Sequence, residues 1–257
     1  MKNAINQRNS AKNWSGKGGW GIVGEIMRTP PVQDIYNRLF ATWGPRGWWP
    51  AQSPLEMMVG AILTQNTAWT NVEKAIGRLR DARALRLDRL HKAPLPVVAE
   101  WIRPAGYFNV KALRLRALTT LIMDQYGGRL SRMFEENPEK LRHILLDVHG
   151  VGPETADSIV LYAAGHPVFV VDAYTRRFLV RHGWLRGDET YDDVASRFTR
   201  ALPPDPKLYN EFHALVVELG KNYCRAKPNC ASCPLRSLLP RGGPVVEKRR
   251  RSARPKR

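Results

Sequence analysis

A glycine hairpin and an aspartate downstream of it carry the most chemistry in this sequence. Gly150-Val151-Gly152-Pro153-Glu154-Thr155-Ala156 lies between two stretches with helical spacing, Leu141 to Val148 and Thr155 to Ala164. Such a turn can aim backbone N–H groups, and the start of the second helix, at a phosphate. Gly150 and Gly152 read as the positive-φ positions, and without side chains they let a phosphate come close. Pro153 suits the first helical turn, where its missing N–H would have no partner anyway. Val168-Phe169-Val170-Val171-Asp172-Ala173-Tyr174 then forms an apolar run ending in one acid. Asp172 reads both as the cap of a helix starting at Ala173 and as a catalytic carboxylate, and capping would hold a catalytic group in place. An anion clamp followed by a lone acid points to chemistry on a nucleic acid.

Two further groups could act. Trp48-Trp49-Pro50 sits in a loop punctuated by glycine and proline, and Trp69 follows the polar turn Leu63-Thr64-Gln65-Asn66-Thr67-Ala68. Adjacent tryptophans do not easily share one core, so at least one is expected at a cleft or surface. Flat aromatic faces at a cleft can stack on nucleic-acid bases, at about 1–3 kcal/mol per base. Cys224, Cys230 and Cys233 fall within ten residues of each other, which suggests a metal or cluster site rather than a disulfide framework.

These groups must be positioned by helices. Val32, Ile35, Tyr36, Leu39 and Phe40 recur at helical spacing, and Ser53-Pro54-Leu55-Glu56 reads as a capped helix start. Further helices are expected near 69–80, 84–91, 95–103, 109–126, 138–147, 153–164, 172–182, 189–201 and 207–223. Pro167 to Val171 alone looks β-like, too short and solitary for a sheet, so the fold class is all-α. The 257 residues carry a net charge of +18, concentrated at both ends but also spread through Arg78, Arg80, Arg83, Arg86 and Arg89. Counterion release makes nucleic acid the expected partner, ahead of an anionic membrane. No apolar run approaches the ~20 residues of a membrane span. With no secretory h-region in view, the expectation is a soluble, cytoplasmic monomer, nucleoid-associated if bacterial.

Leu146-Asp147-Val148-His149-Gly150-Val151-Gly152-Pro153-Glu154-Thr155-Ala156, with Val170-Val171-Asp172 downstream, resembles the helix–hairpin–helix (HhH-GPD) DNA glycosylase superfamily, which includes the endonuclease III-like enzymes. The resemblance covers roughly residues 30 to 235. It implies two helical lobes with double-stranded DNA in the cleft between them. One would be a six-helix barrel over 53–165 carrying the hairpin; the other would join 28–52 to 166–240. Residues 1–27 and 241–257 are expected to be a mobile basic tail and a disordered one.

The same resemblance assigns roles. Asp172 would stabilise an oxocarbenium-like sugar and orient or deprotonate the attacking water. Bifunctional relatives carry a Schiff-base lysine where this chain has Glu154, so water should be the nucleophile and the abasic site should remain uncut. Trp-Trp-Pro and Leu-Thr-Gln-Asn-Thr resemble the 3-methyladenine DNA glycosylase III branch. That places Trp49 and Trp69 on either side of the flipped base, with Trp48 and Pro50 as neighbouring wall and Lys221 nearby. The branch has phenylalanine where Trp69 stands. Gln65 would fill the gap left by the extruded nucleotide. Arg103 to Ala112 resembles a second DNA-facing turn, in which Asn109 can cap a helix and Lys111 can meet a phosphate. His149, Gly150, Val151, Gly152 and Thr155 would face the DNA backbone.

Many superfamily members hold a [4Fe-4S] cluster on C-x6-C-x2-C-x5-C. This chain has C-x5-C-x2-C, with Leu239 at the fourth place. Three alternatives stay open: a cluster completed by another group, a degraded motif, or a different metal such as zinc. The implied activity is a monofunctional glycosylase of base-excision repair that releases an alkylated purine such as 3-methyladenine. The alternatives are excision of oxidised pyrimidines or mismatched uracil or thymine, and a non-catalytic DNA-binding protein.

Overall fold

The computed structural model describes residues 28–47 and 50–245. Trp48, Trp49, residues 1–27 and residues 246–257 lie outside the described residues, and with them most of the expected tails. Among the described residues the chain is all-α, with no strand.

The helices are α1 (Val32–Trp43), α2 (Pro54–Leu63), α3 (Trp69–Asp81), α4 (Leu87–Lys92), α5 (Leu95–Trp101), α6 (Phe108–Tyr126), α7 (Leu130–Phe134) and α8 (Pro138–Leu146). They continue as α9 (Pro153–Ser158), α10 (Ala173–Arg181), α11 (Tyr191–Thr199) and α12 (Pro206–Asn222). Local chemistry explains several starts. Ser53 accepts the Glu56 N–H at 3.2 Å with Pro54 in the first turn of α2, and Thr190 forms a reciprocal capping box with Asp193 ahead of α11. Elsewhere the boundaries differ from expectation. The helix expected at 84–91 begins at Leu87, because Arg83 turns the chain at φ +52°. The helix expected over 153–164 is α9 followed by a π turn, Ile159–Ala163. Pro167 to Val171 is irregular and is buried from Phe169 to Val171, where the Val171 N–H donates to the Tyr191 hydroxyl at 3.1 Å.

Two bodies of buried side chains organise the molecule. One draws on residues between Leu55 and Val160; the other joins Val32, Ile35 and Leu39 of α1 to residues from Leu161 to Leu235. The π turn sits at their junction and packs against both α2 and α12. Arg142 of α8 spans the same junction, 2.6 Å from Asp157 of α9 and 2.6 Å from Asp192 of α11. α10 lies close on α12 because Gly220 has no side chain: a Cβ there would run into the Tyr174 ring. No helix among the described residues is long and apolar enough to cross a membrane.

Candidate active site

The hairpin between α8 and α9 turns on Gly150 at φ +81°. Gly152 is instead extended, at φ −99° and ψ 178°, and serves as the N-cap of α9, so only one of the two expected positive-φ positions is real. The side chain of Arg114, from α6, lies over Gly150, where a Cβ would stand 2.5 Å from its Cγ and Nε. The Gln65 amide donates to the Gly150 carbonyl at 3.0 Å and to the Thr155 hydroxyl at 2.9 Å, while Arg114 donates to its oxygen. Gln65 thus ties the 64–67 turn to the hairpin, and the Thr155 hydroxyl faces Gln65 rather than a phosphate. The Val151 N–H also differs from the expected clamp, because it donates internally to Val148 O at 3.0 Å. His149 is exposed at the turn.

Lys111 is a clear correction. It is 1% exposed, and its ammonium donates to Leu63 O at 2.8 Å, Thr67 Oγ1 at 2.6 Å and Ala105 O at 2.9 Å. Burial, with the Arg114 charge nearby, pushes its pKa down to about 8. It bolts the 64–67 turn to the 103–106 turn instead of reaching a phosphate. Asn109 is exposed but lies inside α6, whose N-cap is Tyr107, so it does not cap. Tyr107 itself, which packing alone could explain in the sequence, is 72% exposed in the left-handed region at φ 46°. A large ring held outward on strained backbone is a feature that functional surfaces retain.

Asp172 caps α10. One of its oxygens, Oδ1, accepts from the Thr175 N–H at 2.7 Å and the Thr175 hydroxyl at 2.8 Å. Its Oδ2 lies 3.6 Å from Nε2 of His213, on α12, and the other ring nitrogen, Nδ1, meets the Tyr162 hydroxyl at 2.5 Å. Burial opposes the charge on Asp172, but His213 and Thr175 outweigh it and hold the carboxyl below the usual aspartate range. Glu154, in the first turn of α9, behaves oppositely. Burial of its carboxyl and the negative charge of Asp172 push its pKa up to about 7, with His213 opposing. The residue as a whole is exposed, so water screens part of this field. The site therefore holds two electrostatically coupled carboxylates, one ionised and one poised near neutrality. Sequence reasoning reads His213 as core or as a ligand near the cysteines and misses its place beside Asp172, since a histidine on an apolar helix gives no local sign of an acid brought from α10.

Pro50 and Trp69 line one pocket together with Glu56, Gly60, Glu73, Ile76 and Arg80. The Trp69 indole N–H donates to Glu73 at 2.8 Å, and Glu56 pairs with Arg80. Asp172, Glu154 and Lys221 are not on this pocket's described lining. The segment entering Trp48-Trp49 is tethered to α12, since the Arg46 N–H donates to Glu211 at 2.6 Å and its guanidinium lies 3.7 Å from Glu218. Lys221 is exposed near the end of the same helix, and its carbonyl accepts from Arg225 at 2.6 Å.

The three cysteines and Leu239 line a second pocket, beside Arg181 and His182. The loop is pinned by α10: Arg177 donates to Cys224 O at 2.6 Å, and Arg181 to Cys224 Sγ at 3.2 Å and Arg225 O at 2.6 Å. Three thiols and an aliphatic side chain do not make the four-thiolate cage of a [4Fe-4S] cluster. Among the described residues, no three His, Cys, Asp or Glu side chains are grouped to hold a metal ion.

Residues 59–204 match the family model of the HhH-GPD superfamily base excision DNA repair proteins. A Methanocaldococcus jannaschii protein named as a DNA repair glycosylase is 42% identical over 209 residues, 80% of this chain and 94% of that one. Endonuclease III of Thermotoga maritima is 27% identical over 185 residues, 72% of this chain and 81% of its own. Among solved structures, H. pylori 3-methyladenine DNA glycosylase bound to 1,N6-ethenoadenine aligns with a TM-score of 0.63 at 28% identity, covering 74% of this chain and 95% of that one. An endonuclease III–DNA complex reaches a TM-score of 0.71 over 84% of this chain and 97% of that one, a likeness of fold at 23% identity.

Proposed function

Because this chain belongs to the HhH-GPD superfamily of base excision DNA repair proteins and is a DNA glycosylase, we propose that it is a monofunctional one, releasing an alkylated purine such as 3-methyladenine from duplex DNA by hydrolysis. The observation that carries the hydrolytic reading is a glutamate, not a lysine, in the first turn of α9 after the hairpin, with Asp172 fixed at the α10 cap. A purine alkylated on a ring nitrogen is already cationic and leaves as a neutral base without being protonated. The glycosidic electron pair goes to the purine, and positive charge develops at C1′. Ionised Asp172 stabilises that charge. The oxygen of water then bonds to C1′ while its proton passes to the Glu154 carboxylate, whose pKa suits a base at neutral pH. Neither carboxylate can form the Schiff base that strand cleavage requires.

Base stacking is assigned to Trp69, with Pro50 as neighbouring wall and Lys221 at the end of α12; Trp49, the expected opposite face, and Trp48 lie outside the described residues. A cationic base is attracted both by indole faces and by Glu73 beside Trp69. Gly150, Gly152, His149 and Asn109 face the DNA backbone in this reading, and Arg114 over Gly150 adds a cation that no sequence motif marks. Tyr107 is positioned to press into the duplex, while Gln65 reaches the vacated space by exchanging its bonds to Gly150 and Thr155. No step passes through the cysteine loop.

A second reading, excision of oxidised pyrimidines or mismatched uracil or thymine, is supported by the similarity to endonuclease III. A panel of duplexes, each carrying one lesion, separates the two. Release of free alkylated purine with no borohydride-trapped adduct is expected. Release of an oxidised or mismatched pyrimidine in preference, or a covalent protein–DNA adduct, would contradict the proposal. Binding with no base released from any duplex would favour a non-catalytic role.

A further inference from the structure

His213 is the one buried group of the site that the reaction above leaves without a task. It is 5% exposed on α12, and its Nε2 has no hydrogen-bond partner although it faces Asp172 Oδ2 at 3.6 Å. Oδ1 of the same carboxylate is already held twice by Thr175, so Oδ2 is the oxygen whose direction remains to be set. On its other side the ring meets the Tyr162 hydroxyl, which comes from the π turn Ile159–Ala163. One extra residue in a helical turn rotates the downstream side chains by about 100°, and such turns concentrate at functional sites. The Tyr162 hydroxyl lies 2.5 Å from Nδ1, so that side of the ring is engaged and Nε2 is the nitrogen turned to the acid. An ionised carboxylate oxygen facing Nε2 favours the ring proton on that nitrogen.

We propose that His213 is a positioning residue for Asp172, oriented by Tyr162 so that an Nε2–H faces the free carboxylate oxygen. This rests on the reading of Asp172 as the catalytic acid. The distance of 3.6 Å is too long for a hydrogen bond, and a closure of about half an ångström would make one. An Nε2–H turned to the free oxygen fixes the direction of the carboxylate, whereas the opposite tautomer would turn a lone pair on it. The charged groups acting on the ring are Asp172 at the α10 cap and Glu154 of α9, with the Tyr162 phenol from the π turn.

The test has two arms. In the full chain labelled with 15N-histidine, the resonance that disappears in His213→Gln should report an Nε2–H tautomer, move in Asp172→Asn, and spread to mixed tautomers in Tyr162→Phe. An Nδ1–H tautomer, or indifference to Asp172→Asn, overturns the proposal whatever the lesion. In single-turnover base release from methylated duplex, His213→Ala should slow release by on the order of tenfold, with DNA affinity unchanged. His213→Gln, which keeps a side-chain N–H, should restore most of the rate. A wild-type rate in His213→Ala, beside an inactive Asp172→Asn, overturns this inference alone. A fully active Asp172→Asn overturns the role of Asp172 itself.

Discussion

Asp172 and Glu154 are two carboxylates in one field, and they resolve the conflict by ionising at different pH. Asp172 is kept charged by His213 and Thr175, and Glu154 is held back by burial and by Asp172. If ionised Glu154 accepts the proton of water, base release from a cationic purine should rise with pH through about 7 and then level off. The sign comes from the direction of the shift: below that pH the carboxyl is protonated and cannot act as a base. Glu154→Gln should abolish the rise and leave a slow, pH-independent rate, checked by single-turnover profiles of both proteins. A falling profile through the same range would assign Glu154 the opposite role, as an acid. The Asp172 cap is legible in the sequence because Asp172 and Thr175 are three residues apart. His213 is not, because only tertiary packing brings α12 to the cap. Lys111 misleads for a related reason: a lysine in a DNA-facing turn defaults to solvent, and nothing local announces the three oxygens that enclose it.

At the level of elements, the site depends on turns bolted to one another. Lys111→Met should leave the Leu63 carbonyl without its side-chain donor, while Ala105 O keeps the Thr67 hydroxyl, and cost about 1–3 kcal/mol, measured by denaturant unfolding. DNA affinity should fall with it, since the 64–67 and 103–106 turns lose their common anchor. Unchanged stability with weaker binding would instead restore the phosphate-binding role. Gly150→Ala combines strain at φ +81° with a collision against Arg114, so it should weaken DNA binding while base release at saturating protein stays closer to wild type. A separation of affinity from rate is the outcome to look for. Ser53-Pro54-Leu55-Glu56 shows its helix start openly, because caps are local chemistry. The π turn gives no such sign: its residues Ile159 to Ala163 are ordinary helix formers, and only the packing of α2 on one side and α12 on the other accounts for its place.

Over the whole molecule, two cores meet at the π turn and at Arg142, and the hairpin and the acid lie on elements either side of that junction. The all-α fold is readable from helical periodicity and from the lack of alternation. The division into two cores has no local signal, and only the family resemblance points to it. The charge of +18 makes association strongly salt-dependent. The logarithm of the binding constant should fall linearly with the logarithm of salt. Removing Lys248 to Arg257 should make that slope shallower by about 0.9 for each phosphate that the tail neutralises in the intact chain. An unchanged slope would place the tail away from DNA.

The central claim is that Asp172 drives hydrolytic release of an alkylated base. Its most direct test is purine release from methylated duplex by wild-type protein and Asp172→Asn under single-turnover conditions, at matched fractions of DNA bound. Free methylated purine from the wild type, an uncut abasic site, and release slowed by several orders of magnitude in Asp172→Asn is the expected result. Equal release by the two proteins would contradict it.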